Sequence, residues 1–187
     1  GKYPNSSRDD DSPWEKTLIT AARLVDPSLA LALAALLHFV PGKSPACQIG
    51  RRLRFTNKEI DRAAWLRANL PLVAAASRIP WPRLQRVLIH PGILELLELR
   101  EAIVGPGDSA VAHCRAVRAR PIAEWNPAPL IDGNDLISRG LAPGRHFSEI
   151  LDQVRDAQLN GAIKSRAGAL QWVDQLVVDR SRDQSEF

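Results

Sequence analysis

The side chains best suited to chemistry in this sequence are basic ones. Arg51-Arg52-Leu53-Arg54 is its richest cationic run, and Lys58 and Arg62 follow within two turns of a helix that the sequence predicts. Projected at about 100° per residue, Ile60, Ala63, Leu66 and Leu70 share one side of that helix, and Lys58, Asp61, Arg62 and Trp65 fall on the other. A large aromatic beside cations, on a face turned from the core, can stack a base or sugar while the cations follow phosphates. The same residues admit a second reading, in which Trp65 packs against another helix and the arginines are merely solvated. Arg115, Arg118 and Arg120 end another helix, where the helix dipole favours cations without any ligand.

Other chemistries lack their residues. There is no Gly-rich phosphate loop between a strand and a helix, no Gly-x-Ser-x-Gly elbow and no His pair at metal-ligand spacing. His38, His90, His113 and His146 are scattered and read as ordinary core or surface histidines. Asp9-Asp10-Asp11 sit in a polar lead that holds no fixed metal geometry, and Asp132 and Asp135 read as helix-start charges. The two cysteines, Cys47 and Cys114, can make neither a disulfide framework nor a four-ligand zinc site. They read as small core residues of a protein in a reducing compartment. The longest apolar run, Leu29 to Leu37, is far short of the about 20 residues that span a bilayer, so the expectation is a soluble, unexported, cytoplasmic protein.

The elements that must position these residues are helical. With 187 residues, the chain suffices for one domain or two small ones. Its net charge of +4 is uneven: residues 51–120 carry thirteen basic against six acidic side chains, a net +7, and residues 121–187 carry seven against ten, a net −3. Twenty of the 25 basic residues are Arg, whose planar fork suits phosphate, although GC-rich coding gives the same bias. No stretch alternates apolar and polar residues in the manner of a strand. A core helix is expected after Asp26-Pro27, through Leu29–Leu37, stopping before Pro41-Gly42. Thr56-Asn57-Lys58-Glu59 reads as a capping box opening a helix to about Leu70, ahead of Pro71. Further helices are expected over 93–104, from the Asp108-Ser109 cap through Arg118, over 132–139, 143–159 and 165–178, with Asn160-Gly161 as a stop. The pattern predicts an all-α, multi-helix protein with a flexible lead at 1–13, a helical body at 14–125, a C-terminal helical tail at 126–178 and a frayed end at 179–187. Gly1 without any methionine reads as a trimmed chain or a piece of a longer one.

Three stretches together resemble one family, the bacterial tRNA nucleotidyltransferases (CCA-adding enzymes) and poly(A) polymerases. Pro129-Leu-Ile-Asp-Gly-Asn-Asp-Leu-Ile137, Gly140-Leu-Ala-Pro-Gly144, Ala157-Gln158-Leu159-Asn160-Gly161, Ser165-Arg166 and Ala169-Leu170 resemble that family's tail in order and nearly in spacing. Arg145 stands where the family has a second Pro, and Ala167-Gly168 where it has a Glu pair. Leu53-Arg54-Phe55-Thr56-Asn57-Lys58-Glu59 is similar to the L-R-L-S-N-K-E element of the helical body. Leu33 to Lys43 resembles the L-x-x-L-L-H-D-I-G-K stretch of regions related to HD phosphohydrolases, with Phe39 in place of the Asp that would join His38 on a metal.

The resemblance covers most of residues 14–178 and implies a body and tail without the catalytic head. That head would bring a Gly-Ser motif and paired carboxylates for two Mg²⁺. By resemblance, then, this chain binds RNA, tRNA foremost, has no catalytic residue or cofactor of its own, and belongs to a parent enzyme that uses Mg²⁺ with CTP or ATP. The expected RNA contacts are Arg51, Arg52, Arg54, Lys58, Arg62 and Trp65 in the body and Arg139 and Arg145 in the tail. The alternative from another class is a helical interaction or dimerisation module, with Trp65 and Trp81 as interface anchors and no membrane contact.

Overall fold

Local capping chemistry starts several of the helices. Ser12, Thr56 and Asp132 each accept from a backbone amide three residues on, and Glu15, Glu59 and Asp135 reach back to the cap amide, which makes three complete capping boxes. Ser28 caps the Leu31 amide, and Asp108 accepts from the amides of Ala110 and Val111. The computed structural model describes residues 12–40 and 45–183, and among these it is all-α, with eleven helices and no strand. They are α1 (Pro13–Ala22), α2 (Leu29–Leu36), α3 (Pro45–Arg52), α4 (Asn57–Ala74), α5 (Trp81–Leu88), α6 (Ile93–Val104), α7 (Ser109–Arg118), α8 (Ile122–Trp125), α9 (Gly133–Ser138), α10 (Arg145–Leu159) and α11 (Arg166–Asp183). No helix among the described residues is long and apolar enough to cross a membrane.

Several boundaries differ from the sequence expectation. The cap of α2 is Ser28 and not Asp26, which instead takes a left-handed φ of 49° in the preceding turn. Residues 12 and 13, expected in a flexible lead, cap and open α1; the rest of that lead, 1–11, lies outside the described residues, as does the stop at Pro41-Gly42. Helix α4 does not end at Leu70 but carries Pro71 inside it and continues to Ala74. Proline forfeits one backbone bond there. Leu70 and Val73, buried on either side, hold the turn together, and the Pro71 carbonyl still accepts from Ala75. Helix α11 runs through 179–183, expected to be frayed, and residues 184–187 lie outside the described set.

The chain divides into two compact units. The first comprises the described part of Gly1–Ile79 with Val87–Ala119; the second comprises Pro80–Arg86 with the described part of Arg120–Phe187. Where the proline pattern predicted a boundary near 125, the division falls at Arg120, and a short upstream piece belongs to the second unit. Its polar bonds show why: Gln85 donates to Asn126 at 2.6 Å, and Arg86 pairs with Asp152 at 3.2 Å and Asp156 at 2.7 Å.

In the first unit, α4 is the axis, packed against α2, α3, α6 and α7. Ile60, Ala63, Leu66, Leu70 and Val73 form its buried stripe, against Leu31, Leu33 and Ala34 of α2 and the buried leucines of α6. Each such leucine withdrawn from water contributes roughly 1.5–3 kcal/mol. Helix α1 is inverted: it buries Thr17 and Thr20, whose hydroxyls donate to the Pro13 and Lys16 carbonyls at 2.8 Å, and exposes Trp14, Leu18 and Ile19. In the second unit, Ile131, Leu136, Ile150, Val154, Ala157, Ile163, Ala169 and Val173 form one core. Trp172, beside the buried Val173, is exposed. Arg155 donates to the Pro127 carbonyl at 2.7 Å and to Asn126 at 2.9 Å, and Gln158 donates to the Ala128 carbonyl at 2.7 Å, so α10 fastens the proline-rich connection.

Candidate nucleic-acid interface

The strongest cationic surface lies where α3 turns into α4. Helix α3 delivers Arg51 and Arg52 in its last turn, where the helix dipole welcomes them, and the chain reverses through Leu53-Arg54-Phe55 into the Thr56 cap. Arg51, Arg52, Arg54 and Lys58 are all exposed, and none forms an ion pair or side-chain hydrogen bond among the described residues. Glu59, the nearest carboxylate along the chain, is engaged elsewhere. It accepts from the Thr56 amide at 2.7 Å and the Thr56 hydroxyl at 2.8 Å, and those bonds hold its carboxyl below the ordinary glutamate value. Asp61, one turn further, makes no ion pair with any of the four. The turn therefore shows its charge undiminished.

Arg62 and Trp65 are placed differently. Trp65 is half-buried and stacks on His90, ring centroids 3.6 Å apart and planes 14° off parallel. Arg62 pairs with Glu95 at 3.6 Å, and Glu95 also accepts from the Ser28 hydroxyl at 2.5 Å. Gly92 makes this seam possible, since a Cβ there would lie 2.0 Å from an Arg62 nitrogen and 3.0 Å from the Trp65 ring. His90 accepts the Gly92 amide on Nδ1, and burial, then the charge of Arg62, lowers its pKa and keeps it neutral. Both residues that the helix projection set on an open face thus join a packed seam between α4 and the start of α6.

In the second unit, Arg139 is tied to Asp174 and Arg166 to Asp135. Arg145 is exposed at the first position of α10 and forms no ion pair among the described residues. Trp81, offered as an interface anchor, is half-buried. Arg78, Arg83 and Arg120 are exposed without ion pairs among the described residues, although only Arg120 stood out in the sequence, and that as a helix-end charge. A count of carboxylates within reach of each cation is the signal that separates these from the rest, and that count depends on the fold.

The remaining chemistry is quiet. No group of three or more His, Cys, Asp or Glu side chains able to hold a metal occurs among the described residues. His38 meets Phe39 edge-on with centroids 4.6 Å apart; burial, then Arg67 and Arg100, lowers its pKa. Burial, then the charge of Asp108, pushes the Cys114 thiol up to about 11, which leaves it unreactive at neutral pH. Cys47 is half-buried. Two hollows, of about 330 and 310 Å³, share Arg23 in their walls, but its guanidinium is occupied by the Ala102 carbonyl at 3.0 Å.

Among the described residues these features define an all-α protein with an exposed basic turn between α3 and α4. Comparison with protein-family models, curated proteins and solved structures finds no match.

Proposed function

We propose that this chain is the RNA-binding helical body and tail of a template-independent nucleotidyltransferase that adds CCA or A to RNA 3′ ends, with tRNA as the foremost partner and the cytoplasm as its place of work. The observation that carries the reading is the α3–α4 turn, which holds Arg51, Arg52, Arg54 and Lys58 exposed and free of carboxylate partners. Such a surface recognises a phosphate backbone through charge and shape, without reading bases. The sequence resemblance supplies the parent enzyme. Sedimentation of the chain with and without tRNA tests the reading, with a tRNA-dependent shift that weakens steeply with salt as the expected result. Offered tRNA with labelled CTP or ATP and Mg²⁺, the chain alone adds nothing; incorporation would place the chemistry within it.

One observation favours a protein-contact reading as well. Trp14, Leu18, Ile19 and Val25 are exposed, with Trp14 at 66% and Val25 at 85% of full exposure. An apolar face of that kind suits a protein partner or a second copy. Dimerisation that needs no RNA, with no tRNA shift, would favour that reading over the first.

A further inference from the structure

The turn between α3 and α4 is a Schellman ending. The Arg54 amide donates to the Arg51 carbonyl at 3.1 Å and the Phe55 amide to the Gly50 carbonyl at 2.9 Å, the paired bonds that force the residue between them into the left-handed region. Arg54 accordingly has φ of 60°. Six described residues have positive φ: four are glycines, one is Asp26, and the sixth is Arg54. Glycine takes this conformation freely and aspartate often does, with its short polar side chain bonding locally, whereas an arginine β-carbon is crowded there. The two backbone bonds hold the turn against that crowding, and the side chain takes no part in it. The Arg54 side chain is exposed and makes no hydrogen bond or ion pair among the described residues. Glycine would serve the turn at lower cost, so an arginine kept there with its guanidinium used by nothing among the described residues points to an external partner.

We propose that Arg54 is the fixed point of the RNA contact, a guanidinium carried on a rigid turn so that its planar fork meets a backbone phosphate, with Arg51, Arg52 and Lys58 as the more mobile cations around it. This rests on the RNA reading above and sharpens it to one residue and one chemical group. The turn's two backbone bonds fix where the Arg54 Cα sits, so less ordering is left for binding to supply. The fork can grip two phosphate oxygens at once, which an ammonium cannot.

The test sets stability against affinity, because a structural role and a binding role move them differently. Arg54→Gly relieves the crowding and raises Tm by about 2 °C, yet weakens tRNA binding about tenfold and lowers the magnitude of the salt slope by about 1. Arg54→Ala keeps the crowding, leaves Tm unchanged and shows the same binding loss. Arg54→Lys keeps the slope but recovers only part of the affinity. A fall in Tm on Arg54→Ala, or unchanged tRNA binding in Arg54→Gly, overturns the proposal. In the second case the Arg51→Ala/Arg52→Ala double variant tells the failures apart: weakened binding there leaves the RNA reading standing, and unchanged binding removes that reading too.

Discussion

Two groups of arginines in the first unit differ in everything except residue type. On α6 and α7, Arg100 pairs with Asp108 at 2.9 Å, Arg115 with Glu101 at 2.6 Å, and Arg118 donates to the Leu88 carbonyl at 2.8 Å. At the α3–α4 turn, Arg51, Arg52 and Arg54 have no such partner among the described residues. The first group holds helices to one another, and the second offers its charge outward. A basic stretch therefore identifies a binding face only after its internal partners have been assigned. Of the thirteen basic side chains in residues 51–120, six are held by partners in the fold, and four of the seven exposed ones without ion pairs among the described residues gather at the α3–α4 turn.

Breaking the paired group should damage the fold and leave RNA binding alone. The largest effect is expected from Asp108→Ala, which removes the cap of α7 and strands a half-buried Arg100; urea denaturation should show a loss of about 2–3 kcal/mol. The same carboxylate carries a pH signature. Burial raises its pKa, but bonds from the Val111 amide, Arg100 and the Ala110 amide more than offset this and leave it below the ordinary value. A group depressed in the native state contributes its stability in full above the ordinary carboxyl value, near pH 4, and loses it as pH falls through the lower native value. Stability measured across that acid window should decline, and Asp108→Asn should remove this part of the decline. Arg118→Ala should cost about 1 kcal/mol, the worth of one part-buried hydrogen bond, with tRNA affinity unchanged in filter binding. Arg115→Ala ranks last, below about 1 kcal/mol, because its pair is largely exposed. A loss of tRNA affinity in either arginine variant would erase the distinction between the two groups.

The sequence made the local part of this arrangement readable. The box at Thr56/Glu59, the helix start at Asp132 and the cap at Asp108 depend on residues within three positions of each other, and all stand where the sequence placed them or one step away; Asp132 and Asp135, which read in the sequence only as helix-start charges, form a full box. The buried stripe of α4 follows from its 3.6-residue period. What escaped was set by distant residues. Pro71 is tolerated inside α4 because packing on both sides outweighs one lost bond. Arg62 and Trp65 share an outward arc in projection, yet Glu95 and His90, some thirty residues on, cover them. The Asp174 partner of Arg139 comes from α11 and leaves no local trace. The left-handed Arg54 was hidden for the opposite reason: a Schellman turn advertises itself by glycine, and here glycine is missing.

The claim that the α3–α4 turn is the RNA-binding surface is tested most directly by the salt dependence of tRNA affinity, measured for the chain and for its Arg51→Ala/Arg52→Ala/Arg54→Ala variant. Each phosphate contact adds about 0.7–0.9 to the magnitude of the slope of log K against log salt. The variant should bind about a hundredfold more weakly at low salt, with a slope shallower by about 2–3 and an unchanged fold. An identical slope in the two proteins would contradict the claim and assign the charge of this turn to solvent.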